Sequence, residues 1–196
     1  RGEGRGGGGG IRSVLWFFVV GRDCLGGWFY FRCGGMISTR RRLEYASGYL
    51  GLGMHRDAAA ELGLIEGEAA VSAEVLHLWV ALHQETKQWV ALIEAATALA
   101  EVDPEEEHGW ISWAYALREL DRVREAQEVL LKAEGRHGKS CAVLHYNLAC
   151  YACLLGDRVD AKRRLATAIA MDAEFKCSAT EDPDLQAMRD DLESIG

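Results

Sequence analysis

The sequence predicts an all-α helical-repeat solenoid of about four helix-turn-helix hairpins, closed by a C-terminal capping helix. Three observations predict it. The stretch Trp110 to Ala133, WISWAYALRELDRVREAQEVLLKA, carries two apolar stripes on either side of a polar bend. The same pattern recurs along the chain in steps of 34 residues, lengthened once to 35. Small or apolar residues keep one register through all the copies.

The stripes come from helical spacing. Residues three, four and seven apart share a helix face, so Trp110, Trp113, Ala114 and Leu117 form one stripe. Ala126, Val129, Leu130 and Ala133 form the second. Arg118 to Arg122 is too polar for a core and short enough for a tight turn between helices. Sliding the frame back by 34 takes Ala114 to Val80 and then Ala46, and 35 forward to Ala149. Ala126 maps to Leu92, Ala58 and Ala161, and Leu130 to Ala96, Leu62 and Leu165.

This pattern resembles the tetratricopeptide repeat, a helix-turn-helix of about 34 residues reading W-x2-L-G-x2-Y, then A-x3-F, then P. The first copy has Tyr45-Ala46-x2-Tyr49, Gly53 at the turn and Ala58-x3-Leu62. The second, the most divergent, has Trp79-Val80-x2-His83, Lys87 at the turn, Leu92-x3-Ala96 and the closing Pro104. The fourth has Leu148-Ala149-x2-Ala152, Gly156-Asp157 and Ala161-x3-Leu165. The resemblance covers roughly residues 39 to 173 and implies a right-handed solenoid. Val80 and Leu92 are larger than the motif's residues, so looser packing is expected in the second copy.

Residues 1 to 35 read as a separate segment, and residues 36 to 196 as the repeat domain. Arg1 to Gly10 is glycine with arginine, which cannot bury a core. Ile11 to Cys33 is apolar but broken by Arg22-Asp23 and Gly26-Gly27. Its longest charge-free apolar run, Val14 to Val20, is too short for a membrane span, which needs about 20 residues. The first methionine is Met36, just before the repeats. The segment is expected to be disordered or foreign to the native chain. A signal or anchor is the competing reading, with Arg5 and Arg12 ahead of the apolar run. Residues 1–56 carry 9 cationic and 3 anionic side chains, a net +6, and residues 57–196 carry 13 and 27, a net −14.

Within the domain, Thr39 is the expected cap of the first helix. Asp103-Pro104 is expected to cap the fifth, with Glu105 to Glu107 in its first turn, where carboxylates favour a helix N-terminus. After the fourth hairpin, Asp182-Pro183-Asp184 should open a polar capping helix to about Ser194, with Leu185, Met188 and Leu192 on its inner face. The acidic body excludes nucleic acid as a partner, because phosphate binding needs a basic surface.

Signals for chemistry are weak. Ala133 to Ser140, AEGRHGKS, ends like a phosphate-binding loop, but such a loop must follow a strand and open a helix. Here it follows the helix Arg124 to Ala133, so it reads as a linker in which glycines end one helix and Ser140 caps the next. Cys150-x2-Cys153, with Cys141 and His145, resembles a metal-ligand set. On one helix those positions sit at about 0°, 180°, 120° and 40° for Cys141, Cys150, Cys153 and His145. They cannot converge on one tetrahedral ion, and buried thiols serving as small hydrophobes are expected. No cofactor, no metal and no catalysis are expected. Without a disulfide framework among the body's cysteines, a reducing, cytoplasmic compartment is expected.

What the resemblance implies is binding. In this family the first helix of each pair lines a concave groove. The groove positions map to Leu43, Ser47 and Leu50, to His77, Ala81 and Gln84, to Ile111, Tyr115 and Arg118, and to Tyr146, Cys150 and Cys153. Of the lysine, arginine and asparagine clamp that grips acidic chaperone tails, Asn147 alone is present, so that ligand class is not expected. Tyr115, Arg118 and Tyr146 are residue types enriched at binding hot spots. The expected function is a protein- or peptide-binding adaptor. The alternative is a structural or self-associating module, a homo-oligomer or a piece of a larger assembly.

Overall fold

The computed structural model describes residues 19–22, 28–31 and 37–192. The chain divides into two units, Arg1–Ile37 and Ser38–Gly196. In the first, β1 (Val19–Arg22) pairs antiparallel with β2 (Trp28–Phe31), Val19 opposite Phe31 and Arg22 opposite Trp28. No regular structure is expected there from sequence. Valines and aromatics nonetheless suit a pleated strand. The Arg1 to Gly10 tract, most of the signal-like run, Cys24 and Cys33 lie outside the described residues.

The second unit is built from four helical hairpins. They are α1 (Thr39–Gly51) with α2 (His55–Leu62), α3 (Ala73–Glu85) with α4 (Trp89–Val102), α5 (Glu107–Glu119) with α6 (Val123–His137), and α7 (Ala142–Leu154) with α8 (Arg158–Met171). A 3-10 turn, Gly67–Val71, joins the first two hairpins. The three sequence columns form the core. Ala46, Val80, Ala114 and Ala149 are fully buried, as are Ala58, Leu92, Ala126 and Ala161, and Leu62, Ala96, Leu130 and Leu165. At Val80 and Leu92 the larger side chains are buried as completely as the alanines of the other copies.

Each hairpin turns in the same way. Gly53, Lys87, Asp121 and Gly156, spaced by the repeat, all have positive φ, between 54° and 85°. The next residue's N–H closes a six-residue turn in every copy: Met54 to Tyr49 O at 2.8 Å, Gln88 to His83 O at 2.9 Å, Arg122 to Leu117 O at 2.9 Å, and Asp157 to Ala152 O at 2.9 Å. A left-handed residue there satisfies carbonyls that the helix end leaves open. Glycine adopts it without strain, and Lys87 and Asp121 do not.

Hairpins also meet through backbone proximity and charge. A Cβ on Gly109 of α5 would lie 2.8 Å from the Ala100 N of α4, so these helices cross without room for a side chain. Between α6 and α8, the Arg164 guanidinium, with its side chain 6% exposed, pairs at 2.8 Å with both Glu134 and Asp160. Hydrogen bonds from Arg164 hold the Glu134 carboxyl below the usual carboxylate range.

Several helix ends differ from expectation. Ser38, not Thr39, caps α1, accepting from Arg41 N at 3.4 Å. Helix α5 begins at Glu107, capped by Glu106, which accepts from His108 N at 2.9 Å. Pro104 lies before it, and its carbonyl accepts from Trp110 Nε1 at 3.3 Å and His137 Nε2 at 3.1 Å. Helix α6 runs through Gly135 to His137. The anchored His137 ring and the Glu134–Arg164 pair outweigh the cost of about 1 kcal/mol for a helical glycine. Ser140 caps nothing: its hydroxyl turns back to His137 O at 3.5 Å, and Cys141 stands at the N-cap of α7.

The C-terminal segment departs most. The expected helix from Asp182 to about Ser194 is instead α9 (Glu174–Glu181), a 3-10 turn (Pro183–Met188) and the short α10 (Arg189–Leu192). Leu185, Met188 and Leu192 are buried as the spacing required. Asp182 caps the 3-10 turn through Asp184 N at 2.9 Å.

Candidate functional site

The groove positions fall into two groups. On α1 and α3, Ser47 and Gln84 are exposed, Leu43, His77 and Ala81 are half-buried, and Leu50 is packed into the core of the first hairpin. On α5, Ile111 is half-buried and Tyr115 is exposed, its ring edge-on to Trp89 with centroids 5.8 Å apart. Arg118, Tyr146, Asn147, Cys150 and Cys153 meet the chain's own C-terminal segment or lie close to it.

The contacts are specific. Arg118 grips Asp184 with two nitrogens, Nε at 2.7 Å from Oδ2 and a terminal nitrogen on Oδ1. Its third nitrogen holds Glu119 at 2.8 Å. The Tyr146 hydroxyl donates to Asp182 Oδ2 at 2.7 Å, and the Cys150 thiol reaches the same oxygen at 3.6 Å. The Tyr146 ring packs on Phe175 of α9, centroids 4.7 Å apart. Tyr146, Cys150 and Cys153 are therefore buried, where an open groove was expected. What remains open here is a cleft of about 260 Å³ bordered by Tyr115, Asn147, Tyr151 and the Asp182-Pro183-Asp184 bend. The Tyr151 hydroxyl is buried and has no hydrogen-bond partner among the described residues.

Helix α7 explains why the segment folds inward. Its sequence, AVLHYNLACYACL, is apolar on every side and nine of its residues are buried. A helix apolar all round needs cover all round. Helices α6 and α8 cover two sides, and Pro183–Met188 covers another. The two aspartates land on groups that can hold carboxylates: a guanidinium fork, whose geometry matches a carboxylate bidentately, and a phenol.

Protonation follows from this packing. Burial, and then the hydrogen bond to Asp182, push the Tyr146 hydroxyl far above the usual phenol range. Burial and the charges of Asp182 and Asp184 do the same to the Cys150 thiol, and burial raises Cys153. A thiol is nucleophilic or metal-binding as the thiolate, and burial disfavours that form at both Cys150 and Cys153. The Gly-Lys-Ser stretch follows α6 and not a strand.

A second polar cluster lies where α3 meets the start of α5. His77 Nδ1 is 3.1 Å from His108 Nδ1, and His77 Nε2 is 3.9 Å from Glu106 Oε2. Burial lowers the His108 pKa, partly offset by Glu106. Among the described residues, these three form the one group whose ligand atoms could share a metal ion. His77 and His108 stand 31 residues apart, close to one repeat, a spacing visible in sequence once the period is known. In sequence, Asp182 and Asp184 mark only a helix start; the apolar circumference of α7 is the signal that something must cover it.

No protein-family model matches the sequence, and no characterised protein is similar to it in sequence. Solved structures are similar in fold. MamA protein superposes with a TM-score of 0.68 over 80% of this chain and 87% of its own, at 14% identity. A mutant of MamA gives 0.60 over 71% and 80%, at 16% identity. A thermophilic TPR protein of Thermus thermophilus gives 0.56 over 79% and 86%, at 20% identity. In repeat register, turn geometry and these neighbours alike, the chain has the tetratricopeptide-repeat fold.

Proposed function

We propose that this chain is a non-catalytic protein-interaction scaffold whose groove takes an extended acidic segment of a partner protein. The observation that carries this reading is the chain's own Asp182-Pro183-Asp184 seated on Arg118, Tyr146 and Cys150. This contact supports an acidic, proline-bent segment as the ligand of the α5–α7 end, held by Arg118 and Tyr146 and not by the lysine–arginine–asparagine clamp of chaperone-tail binders. Tyr115 and Asn147, beside the same bend, would contact a bound chain. Toward α1 and α3, Ser47, Ala81 and Gln84 would receive its continuation. The acidic body disfavours nucleic acid, and no described helix is long and apolar enough to cross a membrane.

The test uses the full chain carrying Asp182→Ala and Asp184→Ala, with a fluorescent peptide containing an Asp-Pro-Asp core. Fluorescence anisotropy should show the peptide binding this variant at least tenfold tighter than wild type, with binding lost on adding Arg118→Ala. Equal binding by all three, or binding indifferent to Arg118, would sink the reading. Light scattering of the wild type checks the self-association alternative: a mass rising with concentration would favour it.

A further inference from the structure

We propose that His77, Glu106 and His108 form a binding site for a divalent first-row transition ion of the zinc type. The three residues come from two elements: His77 from α3, and Glu106 and His108 from the cap and first turn of α5. One ligand atom from each lies within 4.8 Å of the others. Two imidazoles with one carboxylate select zinc, nickel, cobalt or copper over calcium and magnesium, which prefer oxygen alone.

The geometry of the pair is specific. The two rings are nearly parallel, 6° apart, with centroids at 5.2 Å. Their Nδ1 atoms are only 3.1 Å apart. The centroid separation exceeds the nitrogen separation by nearly a ring's width, so both nitrogens lie close to the line between the centroids. The rings therefore meet edge to edge, with the two Nδ1 positions facing each other. Without an ion, one nitrogen carries a proton and the other accepts it, and the pair cannot be protonated on both without repulsion.

Around a tetrahedral zinc ion, ligand atoms at about 2.0–2.1 Å from the metal stand about 3.3 Å apart. The Nδ1 separation is already close to that. Turning each imidazole about χ2, a broad torsion, converges the lone pairs on a point beside the line joining them. Glu106 is held toward the site by the His108 N–H at 2.9 Å, the kind of outer hydrogen bond that orients a ligating carboxylate. Three protein ligands leave at least one position for water.

The reduced, metal-free full chain would be titrated with cobalt(II), followed by visible absorption, and with zinc(II) by calorimetry. We expect one ion per chain, a d–d spectrum without a thiolate charge-transfer band, and affinity that weakens as acid protonates the histidines. His77→Gln with His108→Gln should lower affinity at least 100-fold, with unchanged helicity by circular dichroism. On the wild-type chain, zinc should shift the Nδ1 resonances of His77 and His108 and leave those of His55, His83, His137 and His145 in place, a readout independent of any variant. The absence of a stoichiometric ion, a thiolate band, or shifts at other histidines only would overturn the proposal.

Discussion

Gly109→Ala and Gly135→Ala make the same chemical change in neighbouring helices and should act in opposite directions. At Gly109 the new Cβ would stand 2.8 Å from Ala100 N and 3.2 Å from Ala100 Cα and Ala96 O, all backbone atoms of α4. Comfortable contact begins at about 3.5 Å, so α4 and α5 must separate by roughly 0.7 Å. Overpacking of this kind costs about 1–3 kcal/mol. Alanine's helix preference returns about 0.5–1 kcal/mol, leaving a net loss of about 1–2 kcal/mol. At Gly135 nothing lies within 4 Å, so only the helix preference acts and the chain gains about 0.5–1 kcal/mol. At roughly 2–4 °C per kcal/mol for a chain of this size, thermal melts followed by circular dichroism should show Gly109→Ala lower by about 2–8 °C and Gly135→Ala higher by about 1–4 °C. Because the obstruction is backbone, trimming Ala100 to glycine should give no rescue, and the two effects should add. A Gly109→Ala protein as stable as wild type, or one rescued by Ala100→Gly, would refute the close crossing of α4 and α5.

Other perturbations follow from named contacts. Lys87→Gly relieves a left-handed lysine at φ 54° and should raise stability by about 0.5–1 kcal/mol in urea unfolding. Arg164→Met leaves Glu134 and Asp160 facing each other without their cation and should cost about 1–3 kcal/mol by the same assay. Burial lowers the His108 pKa, so between that value and the ordinary one near 6.5 the unfolded chain binds more protons. Stability from this group is complete above about pH 6.5 and is lost as pH falls toward the folded pKa; the melting temperature should drop from about pH 7.5 to about pH 5.5, and less so in His108→Gln. Tyr146→Phe removes the hydroxyl that donates to Asp182 at 2.7 Å and should speed amide exchange across residues 182–192 several-fold, read by mass spectrometry, with little change in α1 to α4.

What was legible in sequence was what repeats. Ala46, Ala114 and Ala149 mark one fully buried column, which also takes Val80, and the column recurs because the hairpin does. The turn was legible for the same reason: Gly53 and Gly156 show a left-handed position that Lys87 and Asp121 also adopt. Contacts peculiar to one place were not legible. Arg118 meets Asp184 across 66 residues, and no periodicity links them. Sparse apolar spacing after Asp182 showed that Leu185, Met188 and Leu192 share a buried side, but not that this side faces the groove. The caps stand one to three residues from Thr39, Asp103 and Ser140, at Ser38, Glu106 and Cys141, because a helix end is set by local contacts, such as Ser38 with Arg41 N and Glu106 with His108 N, that the repeat does not encode.

The self-seated aspartates bear directly on how the proposed scaffold would select a partner. Displacing Asp182 and Asp184 costs whatever the Arg118 fork and the Tyr146 hydroxyl contribute net of rehydration. Hydrogen bonds involving a charged group are worth about 1.5–3 kcal/mol. If freeing the bend costs about 2 kcal/mol, the groove is open in roughly 3% of molecules, and every partner binds about 30-fold more weakly than its contacts alone would give. That penalty falls equally on all partners, so by itself it selects none. Selection comes from what replaces the aspartates. A partner with one carboxylate would refill either Arg118 or Tyr146 and leave the other without the carboxylate it holds in the free chain, a further loss of about 1–3 kcal/mol. One with two carboxylates spaced as in Asp182-Pro183-Asp184 refills both. Leu185 and Met188, fully buried just beyond the bend, can stay docked while the bend leaves, so exchange does not require uncovering α7. The tail would thus set a threshold, and Arg118 with Tyr146 the preference: the Asp182→Ala, Asp184→Ala chain should bind singly and doubly charged peptides tighter by the same factor of about 30, and keep its preference for the doubly charged ones.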